Sequence, residues 1–174
     1  MINIAVMGYG TVGSGVVEVI DTNGERIAQR IGDALNVKYV LDIRDFPEDP
    51  IQEKIIHDFE TIISDDEIQI VVEVMGGLHP AYDYVKRCLE AGKSVVTSNK
   101  ELVAAKGAEL LRIARDQNVN FLFEASVGGG IPIIRPLYRC LKGEKILEIT
   151  GILNGTTNFI LTKMDKEGAS FETV

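Results

Sequence analysis

The sequence is poor in the residues that mark disulfide-rich and membrane proteins. Among its 174 residues there are two cysteines and no tryptophan, and only 6% of the residues are aromatic. Cys88 and Cys140 cannot build a disulfide framework and fit a reducing cytoplasm, and we expect both to be small, buried apolar residues. No apolar run approaches the roughly 20 residues needed to cross a bilayer, and the N-terminus lacks the basic segment of a signal peptide. These absences favour a cytoplasmic protein without a membrane partner.

The sequence also lacks an excess of positive charge. It has 26 acidic residues against 18 basic ones, for a formal net charge of -8, and it contains no basic block. A protein that binds the phosphate backbone of nucleic acids needs the opposite balance, so we expect no nucleic acid partner. The hydrophobic fraction of 45% and the charged fraction of 25% are typical of a globular protein, and the length suffices for one good core.

Short apolar runs alternate with longer amphipathic stretches in the first 130 residues. The runs predict strands over residues 2–7, 37–41, 70–75, 94–97 and 120–123. The amphipathic stretches predict helices over residues 11–30, 80–91 and 102–117. Residues 46–60 contain two prolines and predict a loop. Because strands that are apolar throughout and alternate with helices are typical of a parallel sheet covered on both faces, we expect an α/β fold with a doubly wound parallel sheet.

The pattern changes after Glu124. The glycines at 128–130 are followed by a helical stretch that ends at Leu141, a strand-like run over 146–153 and an amphipathic stretch over 156–166. This pattern indicates the beginning of a second, α+β structural unit rather than another strand–helix repeat. We therefore predict one domain over residues 1–130 and the start of a second domain over residues 131–174.

A glycine-rich turn follows the first predicted strand and opens the first predicted helix. Its sequence is Gly8-Tyr9-Gly10-Thr11-Val12-Gly13. In such a turn Gly8 permits the tight bend, Gly10 lets the backbone approach a pyrophosphate, and Gly13 lets helix and strand pack closely. Free N–H groups and the positive end of the helix then favour the anion. The turn predicts that these six residues bind a dinucleotide and that the sheet is Rossmann-like, with a merely structural turn as the alternative.

Two charged residues follow the second predicted strand, where the adenine ribose is expected. An acid such as Asp42 favours the 2′-hydroxyl of NAD, whereas an arginine such as Arg44 accommodates the 2′-phosphate of NADP. Either residue is also compatible with a solvated loop. The sequence makes both of them candidate cofactor-binding residues and leaves the choice between NAD and NADP open.

Four further segments occur in order along the chain. They are Val71 to Gly77 (VVEVMGG), Val95 to Lys100 (VVTSNK), Phe123 to Ile134 (FEASVGGGIPII) and Gly151 to Leu161 (GILNGTTNFIL). Together they closely resemble homoserine dehydrogenase, and the resemblance covers essentially the whole chain. Other Rossmann oxidoreductases, such as aspartate dehydrogenase and dihydrodipicolinate reductase, have substrate motifs that differ from the last segment.

The resemblance implies a reversible, NAD(P)-dependent hydride transfer between homoserine and aspartate semialdehyde, a step toward threonine and methionine. It implies that Lys100 assists proton transfer or holds the substrate oxygen, because Lys100 follows the end of a short strand, where open α/β sheets bind ligands. By the same placement Ser98, Met75 and Gly76 would line the cofactor. The second domain would then serve substrate binding and dimerisation, so that the expected partners are a small-molecule substrate and, in the parent enzyme, a second copy of the chain.

The resemblance also implies a site for sodium or potassium. Its ligands would be the carboxylate of Glu124 and the backbone carbonyls of Val127, Gly129 and Ile131. Glycines leave carbonyl oxygens accessible to an ion. The alternative is that the glycines only permit a sharp turn where the two domains meet.

The chain departs from the family pattern after Phe171. Family members continue into an acid-rich stretch with a lysine, which binds the amino group of homoserine and supplies a second catalytic lysine, and nothing in this sequence matches it. We therefore expect an N-terminal fragment that binds the cofactor with little or no turnover. The alternative from a different class is a stand-alone nucleotide-binding or redox-sensing module, which would need neither Lys100 nor Glu124.

Overall fold

The chain divides into two units, Met1–Ser126 and Val127–Val174. The computed structural model describes residues 1–152 and 154–174, so that Leu153 of the fourth family segment lies outside the described residues. Within these ranges no helix combines the length and the apolar character that crossing a membrane requires. The domain boundary between residues 130 and 131 stays a prediction.

The first unit is built on one sheet of six parallel strands. In chain order they are β1 (Ile2–Met7), β2 (Leu35–Leu41), β3 (Ile55–Ile56), β4 (Ile68–Glu73), β5 (Ser94–Thr97) and β6 (Phe121–Leu122). Across the sheet their order is β3-β2-β1-β4-β5-β6, so the direction of winding reverses between β1 and β4. This confirms the predicted doubly wound parallel sheet. Ligands of such sheets bind outside the carboxyl ends of the strands at this reversal.

Helices cover both faces of the sheet, as predicted. They are α1 (Thr11–Ile31), α2 (Glu60–Ile63), α3 (Ala81–Glu90) and α4 (Lys100–Asp116). Successive side chains of a strand point to opposite faces. Ile4 and Val6 of β1 therefore pack with Val17 of α1 in one apolar cluster, whereas Ala5 and Met7 pack with residues of α3 and α4 in another. Burial on both faces explains why the strand is apolar throughout.

The segment predicted as a loop over residues 46–60 contains regular structure. A 3₁₀ helix over Pro50–Lys54 begins after Asp49, whose Oδ1 accepts a hydrogen bond of 2.9 Å from the backbone N–H of Ile51. It leads directly into the edge strand β3, which pairs with Val40 and Leu41 of β2. A strand of two residues is too short to show an alternating pattern in the sequence, so the prediction missed it.

The described residues of the second unit contain two helices, α5 (Ile134–Cys140) and α6 (Gly155–Glu167). The amide oxygen of Asn154 accepts a hydrogen bond of 2.9 Å from the N–H of Thr157 and so caps the start of α6. The strand predicted over residues 146–153 is wrong, since the described residues 146–152 form none. A strand needs a neighbour for its N–H and C=O groups, and the described residues of this unit contain no other strand.

The two cysteines lie in different environments. Cys88 of α3 is fully buried, and burial raises its pKa to about 12. Cys140 is exposed, because α5 buries none of its side chains among the described residues. The expectation of a buried cysteine is therefore confirmed for Cys88 and wrong for Cys140.

Candidate functional site

The glycine-rich turn lies at the carboxyl end of β1 and joins this strand to α1. Gly8 has a φ of +100° and donates its N–H to the carbonyl of Leu41 at 2.8 Å. A Cβ atom on Gly13 would lie 1.9 Å from the carbonyl oxygen of Gly8, so only glycine allows the helix to approach the strand this closely. A Cβ atom on Gly10 would meet nothing within 4 Å. The turn is thus tight on its inner side and open at Gly10.

The N-terminus of α1 lies at this open side, and no side chain of the described residues caps it. Gly10 is the N-cap residue and provides no capping side chain, and the first turn of the helix contains no acidic residue. Thr11 and Val12 are exposed. Because the first N–H groups of a helix have no partner within it, an uncapped N-terminus at the end of a 21-residue helix suits an anion such as a pyrophosphate.

Asp42 and Arg44 form a bidentate ion pair beside the turn. Oδ1 of Asp42 accepts hydrogen bonds from the backbone N–H and Nε of Arg44, at 3.0 and 2.9 Å. Oδ2 accepts from Nη2 of Arg44 at 3.0 Å and from the backbone N–H of Tyr9 at 2.7 Å. The Asp42 side chain is only 7% exposed, whereas that of Arg44 is 56% exposed. Asp42 therefore holds the turn in place, and Arg44 is the member of the pair that faces solvent.

The same contacts stabilise the ionised form of Asp42. Hydrogen bonds from Arg44, followed by the backbone N–H of Tyr9, lower the pKa of Asp42 to about 2. Nη2 of Arg44 also donates to the carbonyl oxygen of Tyr9 at 3.1 Å. The guanidinium plane is thus fixed by Nε and Nη2, which leaves Nη1 to bind a ligand.

His57 is a residue of this site that the sequence did not indicate. It directly follows β3, and its Nδ1 lies 2.7 Å from the carbonyl oxygen of Asp42, while its Nε2 lies 3.2 Å from Oδ1 of Asp45. These oxygens raise the pKa of His57 above its ordinary value, the backbone carbonyl most strongly. The end of β3 brings His57 beside Asp42, and this strand is too short to be recognised in the sequence.

A cleft of about 430 Å³ connects these groups with the end of β4. Seven residues predicted to bind the cofactor line it, namely Gly8, Tyr9, Gly10, Asp42, Arg44, Met75 and Gly76. It is also lined by His57, and by Pro80 and Tyr84 at the start of α3. The predicted residues Thr11, Val12, Gly13, Ser98 and Lys100 do not line it. The structure therefore joins the glycine turn, the Asp42–Arg44 pair and the loop after β4 into one surface.

Lys100 is the first residue of α4 and is exposed. It follows the N-cap residue Asn99, whose side-chain oxygen accepts a hydrogen bond of 3.0 Å from the N–H of Leu102. The amide nitrogen of Asn99 donates to the carbonyl oxygen of Gly77 at 2.6 Å. This contact brings the start of α4 next to the Met75–Gly77 turn. Ser98 is half-buried between the two, with its N–H directed at the carbonyl oxygen of Glu73 at 3.4 Å.

The four residues predicted to hold a cation belong to different units. Glu124 begins a 3₁₀ helix over Glu124–Ser126, at the end of the first unit, whereas Val127, Gly129 and Ile131 belong to the second. In the second unit Gly128 has a φ of +75°, and a Cβ atom there would lie 2.9 Å from the carbonyl oxygen of Ile131. The residues between Val127 and Ile131 therefore form a tight turn that requires glycine. One carboxylate and three carbonyl oxygens are donors that suit a hard cation.

Comparisons with known proteins match both parts of the chain. The family model of the homoserine dehydrogenase NAD binding domain matches residues 8–124, and that of homoserine dehydrogenase matches residues 132–174. The chain is 45% identical to a homoserine dehydrogenase of Corynebacterium glutamicum over 98% of its own length and 39% of that relative. It is 40% identical to one of Bacillus subtilis, over 99% of the chain and 41% of that relative. The chain thus spans about 40% of the length of these curated relatives.

Solved structures agree with the sequence matches. The crystal structure of a homoserine dehydrogenase from Thiobacillus denitrificans superposes with a TM-score of 0.88 at 38% identity, covering 99% of this chain and 40% of that one. A hyperthermophilic archaeal homoserine dehydrogenase in complex with NADPH has a TM-score of 0.83 at 31% identity, covering 99% of this chain and 58% of that one. The fold, the glycine turn and the two family models lead to the same conclusion: the chain belongs to the homoserine dehydrogenase family.

Proposed function

We propose that this chain binds the nicotinamide cofactor for a reversible hydride transfer between L-homoserine and L-aspartate 4-semialdehyde. The uncapped N-terminus of α1 at the glycine turn is the observation that carries this proposal, because it offers free N–H donors at the reversal point of the sheet. When bound, the cofactor would accept the hydride from the alcohol carbon of homoserine or return it to the aldehyde. The role of the protein is to hold the two reacting carbons together and to handle the hydroxyl proton.

We assign the transfer of this hydroxyl proton to Lys100. A lysine at the start of a helix is electrostatically unfavourable, since the helix dipole is positive there, so helix stability does not explain it. In the described part of the chain its ammonium forms no ion pair. Because the side chain is exposed, its desolvation would have to come from the bound cofactor and substrate. Its position beside the Met75–Gly77 turn, through Asn99, suits contact with the substrate oxygen.

The geometry of the Asp42–Arg44 pair favours NADP over NAD. Asp42 is nearly buried and accepts four hydrogen bonds from Tyr9 and Arg44, so its oxygens are poorly placed to receive the 2′-hydroxyl of NAD. Arg44 and His57 present cationic or ionisable groups at the same end of the cleft, where a 2′-phosphate would bind. The NADPH complex of the archaeal relative is in keeping with this choice.

We also propose a bound cation, an oligomeric state and a cellular location for this protein. A sodium or potassium ion is bound by Glu124 and by the carbonyls of Val127, Gly129 and Ile131, for which the oxygen donor set is the support. The active protein is a homodimer, and the resemblance to homoserine dehydrogenase supports this proposal. Its location is the cytoplasm, which the free thiols of Cys88 and Cys140 favour.

A chimera tests the activity. This chain replaces the matching 39% of the Corynebacterium glutamicum relative, and homoserine-dependent formation of NADPH is followed by absorbance. We expect turnover in the chimera and a loss of kcat by about 100-fold or more in its Lys100→Ala variant, the range for a general acid–base group. Lys106→Ala is the matched control, because Lys106 lies on the same helix and pairs with Glu109 at 3.6 Å.

Three outcomes contradict the proposal. Unchanged turnover of the Lys100→Ala chimera would remove Lys100 from the chemistry, whereas NADPH binding without turnover by the unmutated chimera would favour a nucleotide-binding or redox-sensing module. The 174-residue chain alone is expected to bind NADPH without homoserine-dependent turnover. Measurable turnover by that chain would contradict our assignment of substrate binding to residues outside it.

A further inference from the structure

Glu73 is a fully buried acidic residue at the end of β4. Its Oε1 accepts a hydrogen bond of 2.9 Å from the backbone N–H of Met75, and its Oε2 accepts one of 2.6 Å from the hydroxyl of Thr97. Glu73 lies within the family segment Val71 to Gly77, in which it is the only charged residue. Its two neighbours, Val72 and Val74, are apolar and pack against the core cluster on the α1 face of the sheet.

The hydrogen bonds continue from Thr97 to the start of α4. The hydroxyl oxygen of Thr97 accepts a hydrogen bond of 2.9 Å from the backbone N–H of Asn99. Asn99 in turn caps α4 through Leu102 and holds the carbonyl of Gly77. We call these three residues, Glu73, Thr97 and Asn99, the Glu73 chain. It connects both ends of the Met75–Gly77 turn to each other and to the start of α4, directly before Lys100.

Packing alone does not explain a carboxylate here. Burying an acid is costly unless its oxygens are satisfied, and an apolar residue of similar size would fill the same space without that cost. A carboxylate differs from every neutral side chain in being an acceptor at two oxygens and a donor at none. The two donors aimed at Glu73, one from the β4 turn and one from β5, match this property.

We propose that Glu73 is a positioning residue. Through Thr97 and Asn99 it holds the Met75–Gly77 turn and Lys100 next to each other, so that both contact the nicotinamide half of the cofactor. This inference rests on the proposed function, since it takes that turn to line the cofactor and Lys100 to face the substrate. The Glu73 chain does not touch Asp42, Arg44 or His57, so the adenine end of the cleft is independent of it.

The test uses NADPH binding by the 174-residue chain and its variants. Glu73→Gln preserves the size of the side chain, but its amide group turns a donor toward either Met75 or Thr97. Total affinity for NADPH is measured by calorimetry, and the environment of the nicotinamide is measured by its fluorescence emission when bound. Adenosine 2′,5′-bisphosphate is the control ligand, because it contains the adenine half and the 2′-phosphate but no nicotinamide.

We expect Glu73→Gln to bind NADPH about tenfold more weakly, the factor for one well-formed hydrogen bond to a charged group. We also expect the bound nicotinamide emission to shift toward that of free NADPH, with unchanged affinity for adenosine 2′,5′-bisphosphate. Thr97→Val, which removes the hydroxyl, should have the same effect. Thr97→Ser, which keeps it, should restore wild-type affinity and emission.

Several results would overturn the inference. Wild-type affinity and emission in Glu73→Gln and Thr97→Val would show that the Glu73 chain does not position the cofactor. An equal loss of affinity for NADPH and for the bisphosphate, or failure of both variants to fold in circular dichroism, would assign these residues to stability alone. If the wild-type chain binds neither ligand, the proposed function itself fails, which is a different result from any of these.

Discussion

Gly13 and Gly24 lie on the same helix, and the structure predicts opposite effects when each is replaced by alanine. A Cβ atom on Gly13 would lie 1.9 Å from the carbonyl oxygen of Gly8, whereas one on Gly24 would meet nothing within 4 Å. In a helix interior alanine is favoured over glycine by about 1 kcal/mol, a gain that Gly24→Ala receives in full and that Gly13→Ala, in the first turn, can at most equal. A loss of stability in Gly13→Ala larger than this gain therefore reports the clash at the turn.

The clash is severe because the obstacle is backbone. To reach an ordinary contact of 3.4 Å the Gly8 carbonyl has to move by about 1.5 Å, the difference between 3.4 and 1.9 Å. Gly8 cannot give way easily, since its N–H is bonded to Leu41 and the Cβ position at Gly8 is already 3.1 Å from the backbone of Val74 and Met75. Overpacking of this kind typically costs about 1–3 kcal/mol and occasionally more, so we expect a net loss of about 2 kcal/mol for Gly13→Ala.

Thermal unfolding and NADPH titration together test this reasoning. In a protein of this length a change of 1 kcal/mol shifts Tm by roughly 2–4 °C, so Gly24→Ala should raise Tm by about that amount and Gly13→Ala should lower it by about 4–8 °C. Gly13→Ala should also lose NADPH binding at temperatures where it is folded, because the turn that we propose to receive the pyrophosphate has moved. Wild-type Tm and affinity in Gly13→Ala, or equal destabilisation by both variants, would refute the argument.

Three further predictions concern the charges and thiols of the chain. Arg44→Gln should weaken NADPH binding by about tenfold while sparing NADH, whereas the exposed Arg112→Gln, with the same change in net charge, should alter neither affinity in calorimetry. Because the pKa of His57 is raised, its ring is protonated and attracts a 2′-phosphate below that pKa. NADPH affinity relative to His57→Gln should therefore fall as pH rises through it, and a constant ratio between pH 6 and 9 would contradict this role. With a thiol reagent at pH 8 the native chain should expose one reactive cysteine, Cys140, and a second, Cys88, only after denaturation, whereas rapid reaction of both would contradict the burial of Cys88.

Much of the fold followed from local pattern. The uninterrupted apolar runs predicted the long strands β1, β2 and β4, and their alternation with amphipathic stretches predicted a parallel sheet. The short run at 94–97 matched β5. The errors occurred where pairing rather than pattern decides the structure. Ile55–Ile56 is a strand only because β2 lies beside it, and residues 146–152 are not a strand because the described residues of their unit contain none to pair with.

The site was predictable to a similar extent. The three glycines were identified from their spacing, because each meets a steric requirement that is local to the strand–turn–helix unit. The roles of Asp42 and Arg44 could not be divided, since both follow β2 and both carry charge. Glu73 was quoted within a family segment but assigned no role, although an acid inside an apolar strand is itself an unusual signal.

The sequence by itself determined the class of fold, the position of the glycine-rich turn and the family, because these depend on residue types at short, fixed separations. Only the tertiary structure decided which face Asp42 turns to, that His57 joins the cleft, and that Glu73 connects the turn after β4 to the residue before Lys100. These relations join residues 15 to 26 positions apart, between Asp42 and His57 and between Glu73 and Asn99. They arise because parallel strands bring their carboxyl ends to one edge of the sheet, and no local pattern encodes which ends become neighbours.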